Sequence, residues 1–158
     1  MESGKISYAG VGASVAGVIG MVGVYSSWWE TPSQGFNGTA DISGTLAFVM
    51  SLALFAFGGA YVLISDGQIR RATGAIATLC AVVVALACVW GATRAGNVAP
   101  GADVAAGLFV TALGGVLGIA AGFLVMRDNM QRDAAVASGT VPTAASDTPT
   151  TSAEEAGA

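Results

Sequence analysis

Residues 104–126 read VAAGLFVTALGGVLGIAAGFLVM, with no charged side chain and with Gly114, Gly118 and Gly122 spaced four apart. A helix rises ~1.5 Å per residue, so roughly 20 apolar residues cross the ~30 Å hydrocarbon core of a bilayer. This run exceeds that length. Three more charge-free runs precede it, at 6–27, 44–65 and 72–93. Together they predict an all-α integral membrane protein, an antiparallel four-helix transmembrane bundle. Residues 1–130 form its membrane domain, and residues 131–158, rich in Ala, Ser, Thr and Gly, are expected as a disordered cytoplasmic tail.

Composition agrees. The chain is 54% hydrophobic and 10% charged, where a soluble domain carries about 25% charge. Lipid is therefore the expected surrounding, and too little chain remains outside the spans for a second domain. The first run is longer than a signal-peptide core and lacks an Ala-x-Ala site, so it is expected to stay as a span.

The few cations set the orientation. With the N-terminus inside, Lys5, Arg70, Arg71, Arg127 and Arg132 all lie on the cytoplasmic side and only Arg94 lies outside. The reverse would break the positive-inside rule, so N-in/C-in is expected. Trp28, Trp29 and Trp90 then fall at the outer rim, where amphipathic rings prefer to sit.

The outer loop WWETPSQGFNGTADIS (28–43) carries Pro32, Gly35 and Asn37-Gly38. Asn-Gly is a hairpin signal, predicting a short flap that pairs 34–36 with 39–42. Asp41 or Ser43 is placed to cap the second helix, Gly67 to end it, and Asp103 to cap the fourth. Asn37-Gly38-Thr39 is also a glycosylation sequon, or simply a turn.

Small residues recur at helical spacing. Gly114, Gly118 and Gly122 form a glycine zipper; Gly12, Ala16 and Gly20 line one face of the first span, and Ala77, Ala81 and Ala85 one face of the third. Helices in lipid associate through close packing, which such stripes permit. The stripes either close the protein's own bundle or turn one seam toward a second copy or a larger membrane complex.

Other chemistry is sparse. With no histidine in the chain, bis-His haem and His proton relays are excluded. No span holds a carboxylate for proton coupling. Cys80 and Cys88 are ~12 Å apart along one helix, too far to bridge. Ser14, Ser51, Thr78 and Thr111 can each bond back to their own helix. No catalytic residue, cofactor site, metal site or nucleic-acid partner is indicated.

Trp28-Trp29 after the first span, Asp41-Ile42-Ser43-Gly44 before the second, the Arg70-Arg71 turn followed by Gly74, and a glycine-rich last span resemble small prokaryotic four-span membrane proteins. Among these are the tryptophan-operon-associated membrane proteins of actinobacteria and uncharacterised tetraspans of haloarchaea. The likeness covers about residues 8–127 and implies the cell membrane of a prokaryote, with no catalytic residues to carry over. Claudin-like tetraspans share a Trp after span one, but their Gly-Leu-Trp and cysteine pair are missing here.

These readings predict a non-catalytic accessory subunit that packs against itself, as a homo-oligomer, or against a larger membrane complex. The alternatives are a passive channel or small-solute facilitator formed by an oligomer, and an outer-face recognition protein working through the first outer loop and Arg94.

Overall fold

The computed structural model describes residues 8–64, 67–98 and 100–138. Four long helices dominate: α1 (Tyr8–Tyr25), α2 (Ile42–Leu63), α3 (Gly67–Thr93) and α5 (Ala106–Ala137), with the single-turn α4 (Ala95–Val98) before the last. Each long helix is long and apolar enough to cross a membrane. Lys5 and the tail beyond residue 138 lie outside the described residues.

Each helix neighbours two others around a square, α1 beside α2 and α5, and α3 beside α2 and α5. The pairs run antiparallel, as their close contacts show. A side chain added at Gly114 would strike the backbone of Gly20 and Ala16, whereas Gly12 faces Ala121. Similarly, Gly115 and Gly118 meet Ala85 and Ala81, while Gly74 near the start of α3 meets Val125, further along α5.

Side-chain size is inverted relative to a soluble bundle. On α1 the buried residues are Ala9, Gly10, Ala13, Ala16, Gly17, Gly20, Gly23 and Val24, while Val11, Val15, Val18 and Val22 point outward. Glycine and alanine let backbones approach; large apolar groups are left for the surroundings. Three core layers result, each with its own bulky residues: Trp28 and Trp29 at one end, Leu54 in the middle, and Tyr61 at the other.

Several boundaries differ from expectation. α5 continues to Ala137, past the domain boundary at 130, so 131–137 are helix rather than disordered tail. Hydropathy delimits the span, but helix formers such as Met, Gln and Arg carry the helix beyond it. Gly67 starts α3 instead of ending α2; Ile64 is the C-cap, its N–H donating to the Ala60 carbonyl. Asp103 does not cap the last helix but lies in a strand.

The predicted flap is also corrected. Strand β1 (Ser27–Thr31) turns at Pro32-Ser33 into β2 (Gln34–Asn37), and β3 (Asp103–Val104) pairs with the other edge of β1, giving the order β2-β1-β3. Asn37-Gly38 leads into a 3-10 turn, Gly38–Ala40, and residues 39–42 form no strand. Trp-Trp-Glu-Thr has the stronger strand tendency, and Pro suits the first turn position.

Candidate functional site

The sheet-capped end of the bundle gathers the largest side chains and the densest polar bonding, and its construction begins with a bulge. In a regular strand, Trp28 and Trp29 would face opposite ways. Ser27 pairs with Asn37 and Trp29 with Phe36, which leaves Trp28 as an extra residue. An extra residue re-aims side chains, so both indoles enter the bundle and both are fully buried. Trp28 and Trp29 therefore lie inside the bundle at its sheet-capped end, whereas Trp90 is exposed.

The two rings meet edge to face, 5.4 Å between centroids. Trp28 Nε1 donates to the Gly23 carbonyl and to the Thr111 hydroxyl, each at 3.1 Å. Thr111 in turn donates to the Gly107 carbonyl of its own helix. Trp29 Nε1 donates to the Gly91 carbonyl at 3.1 Å. Buried indole N–H groups need such acceptors. Gly38 and Gly91 flank the Trp28 ring so closely that a Cβ at either would fall within 3 Å of it. The β3 edge is tied down as well, because the Ala105 N–H donates to the Trp28 carbonyl at 2.8 Å.

A charged latch sits beside this plug. Asp41 Oδ2 caps α2, accepting from the Ser43 N–H at 3.1 Å and the Ser43 hydroxyl at 2.6 Å. Its other oxygen faces the Arg94 guanidinium at 3.6 Å. Arg94 also lies over the Trp90 ring, 5.3 Å from its centroid. Burial pushes the Asp41 carboxyl up, but the Ser43 bonds, the Arg94 charge and the Ile42 N–H outweigh it. The net pKa falls below the ordinary 3.8.

The small-residue stripes lie between the protein's own helices. Gly114 meets α1; Gly118 meets Ala81 and Leu54; Gly122 meets Thr78. Ala16, Gly20, Ala77 and Ala81 are buried; Ala85 and Gly12 are half-buried, Ala85 touching Gly115 and Gly12 facing Ala121. Asn37 is exposed on the sheet and its Oδ1 accepts from the Thr39 hydroxyl at 2.8 Å.

The span hydroxyls divide. Thr78 and Thr111 bond back to Gly74 and Gly107. Ser14 crosses to the Phe55 carbonyl of α2 at 3.3 Å, and the buried Ser51 Oγ has no partner among the described residues. Cys80 and Cys88 are free and buried in different layers. Among the described residues no three His, Cys, Asp or Glu side chains converge.

Sequence reasoning missed Gly38 and Gly91 as walls of the tryptophan slot and Gly23 as the acceptor of its N–H. The four-residue spacing that marked the other glycines is absent here, because the slot is assembled from three separate segments. Compared with protein-family models, curated proteins and solved structures, the chain finds no match.

Proposed function

We propose that this chain is a non-catalytic integral membrane protein of a prokaryotic cell membrane. In this reading it lies N-in/C-in and serves as a structural or accessory subunit of a homo-oligomer or larger membrane complex. The observation that carries the reading is the inverted packing: small residues inside, with Val15, Leu52, Leu79, Phe109, Phe123 and their neighbours outside. An exposed apolar surface extending over every helix is tolerated when the solvent is itself apolar. The arginine distribution supports the orientation, with Arg70, Arg71 and Arg127 at the end opposite the sheet.

The interior favours a scaffold over a conduit. Trp28 and Trp29 fill the bundle at the sheet end, and Thr78 and Thr111 are engaged by their own helices. Because the glycine stripes are occupied within the bundle, contacts to a partner would use the outward valine, leucine and phenylalanine surface. Gentle detergent extraction followed by native sizing and cross-linking in membranes tests this. A complex larger than one chain is expected; a lone monomer with blank cross-linking would overturn the accessory role.

A second reading, recognition at the outer face, draws on the pinned three-stranded sheet, which holds Glu30, Asn37 and Asp103 exposed on a braced surface. Replacing the Pro32-Ser33 turn by Gly-Gly with no change in the cellular phenotype would remove it.

A further inference from the structure

At the end of the bundle opposite the sheet, α3 and α5 part to leave a groove of about 230 Å³ on their outer seam. Arg71 and Asn129 stand at one end of it; Thr78 and Gly122 lie at the other, seven residues further along each helix. That spacing is two helical turns, ~10 Å of depth. Between them the floor is Gly74 and Val125, both buried. Gly74 lets Val125 approach closely to form that floor, and the exposed Ala75 has too little side chain to fill the space above it.

Its polarity is graded. The cationic and amide groups occupy only the end near the helix termini. Thr78 adds little polarity at depth, because its hydroxyl already donates to the Gly74 carbonyl at 2.9 Å. The flanks are Met126 and Met130, flexible apolar side chains that adapt to an irregular occupant. A head-to-tail gradient of this kind matches an amphiphile with an anionic head and a hydrocarbon chain.

Two further cations lie at this end of the bundle. Arg127 follows Met126, and Arg70 stacks over Tyr61 with its Cζ 4.3 Å from the ring centroid. Of the carboxylates on α5, Asp128 is seven residues beyond Ala121 and so shares the stripe that meets Gly12 of α1, off the groove. Asp133 stands one turn beyond Asn129, past the groove's polar end. The volume exceeds the ~150 Å³ that holds a benzene and suits a stretch of one acyl chain.

We infer that this groove is a binding site for an anionic glycerophospholipid of the surrounding leaflet, its phosphate at Arg71 and Asn129 and one acyl chain laid over Gly74 toward Gly122. The inference rests on the membrane reading above. In the N-in orientation the groove opens at the cytoplasmic leaflet, where basic pockets between spans meet anionic headgroups.

The test is native mass spectrometry of the full chain released from mild detergent doped with phosphatidylglycerol or phosphatidylcholine of identical chains. Wild type is expected to retain one phosphatidylglycerol about fivefold better than phosphatidylcholine, the preference one arginine supplies near an anionic headgroup. Arg71→Gln should remove the preference, lowering phosphatidylglycerol retention more than phosphatidylcholine retention, since both lipids carry the phosphate. Ala75→Phe, which fills the groove from an exposed position, should lower retention of both. If that variant fails to fold, Met126→Phe blocks the groove from the opposite wall. Equal retention of the two lipids by wild type, or phosphatidylglycerol retention undiminished in the variants, would overturn the site. A chain that alkaline carbonate strips from vesicles would instead overturn the membrane reading.

Discussion

The indole nitrogen of Trp28 lies 3.1 Å from the hydroxyl oxygen of Thr111, a residue 83 positions away. This bond joins the bulged strand to the last helix at a point where α1 also contributes the Gly23 carbonyl. Three elements, β1, the neighbouring end of α1 and the distant α5, thus meet at one donor. The ring rather than the bond carries most of the stabilisation, because the indole fills a slot walled by Gly38 and Gly91.

Trp28→Ala should therefore cost about 3–5 kcal/mol, the usual range for emptying a buried aromatic site. Thr111→Val should cost only about 1 kcal/mol, since the indole keeps its Gly23 acceptor. Thermal unfolding in one detergent orders the two variants. Equal losses would mean that the hydrogen bond, not the filled volume, holds the cap.

The glycines of α5 and α2 make a paired prediction. A Cβ at Gly114 would lie 2.7 Å from the Gly20 nitrogen and 2.8 Å from the Ala16 oxygen, both backbone atoms that cannot rotate away. At Gly59 the nearest atom is the Ser14 hydroxyl at 3.8 Å, an ordinary contact. Gly114→Ala should destabilise by about 1–3 kcal/mol through forced separation of α1 and α5. Gly59→Ala should stabilise by about 0.5–1 kcal/mol through helix propensity alone. Denaturation midpoints that shift in the same direction for both would refute the close-approach argument.

The long helices were legible because their signal is local: an uninterrupted apolar run states a span without reference to any partner. Asp41 as a cap was legible for the same reason, its carboxylate needing only the Ser43 N–H two residues on. The burial of Trp28 was not. A Trp-Trp pair reads as a boundary feature until the Ser27–Asn37 register leaves Trp28 unpaired, and the slot that receives its ring is walled in part by Gly91, more than sixty residues downstream. The glycine stripes lay between these extremes. Their spacing announced close packing, but whether Gly114 would face Gly20 or a second chain depended on which helices became neighbours.

Acid should loosen the latch at Asp41. Its carboxyl is bound more tightly ionised than protonated, so its folded pKa lies below the ordinary 3.8. The contribution is full above that ordinary value and disappears as pH falls through the lower folded value. Asp41→Asn should flatten the acid limb of the stability profile and leave a functioning cap. Asp41→Ala should cost about 1 kcal/mol at neutral pH as well. Arg94→Gln should cost less than about 1 kcal/mol, because this ion pair is partly exposed. A stability profile for Asp41→Asn with the same acid slope as wild type would rule out Asp41 as its source.

Across the sheet, Glu30 stands directly opposite Asp103, and both are exposed. Like charges facing each other across antiparallel strands oppose pairing, by an amount in the range of ~0.2–1 kcal/mol. Replacing one carboxylate by a neutral strand former, as in Asp103→Thr, should raise the unfolding midpoint. The gain should shrink with added sodium chloride, since exposed charges are screened beyond about 10 Å at 0.1 M salt and less far at higher salt. Asp103→Thr also keeps the backbone of β3 available, so the Glu30–Asp103 register is preserved while the repulsion is removed. Measuring the midpoint of wild type and variant at low and high salt separates the two contributions. A gain that persists undiminished at high salt would assign the effect to threonine's strand preference, and a loss would show that the carboxylate at 103 stabilises the cap.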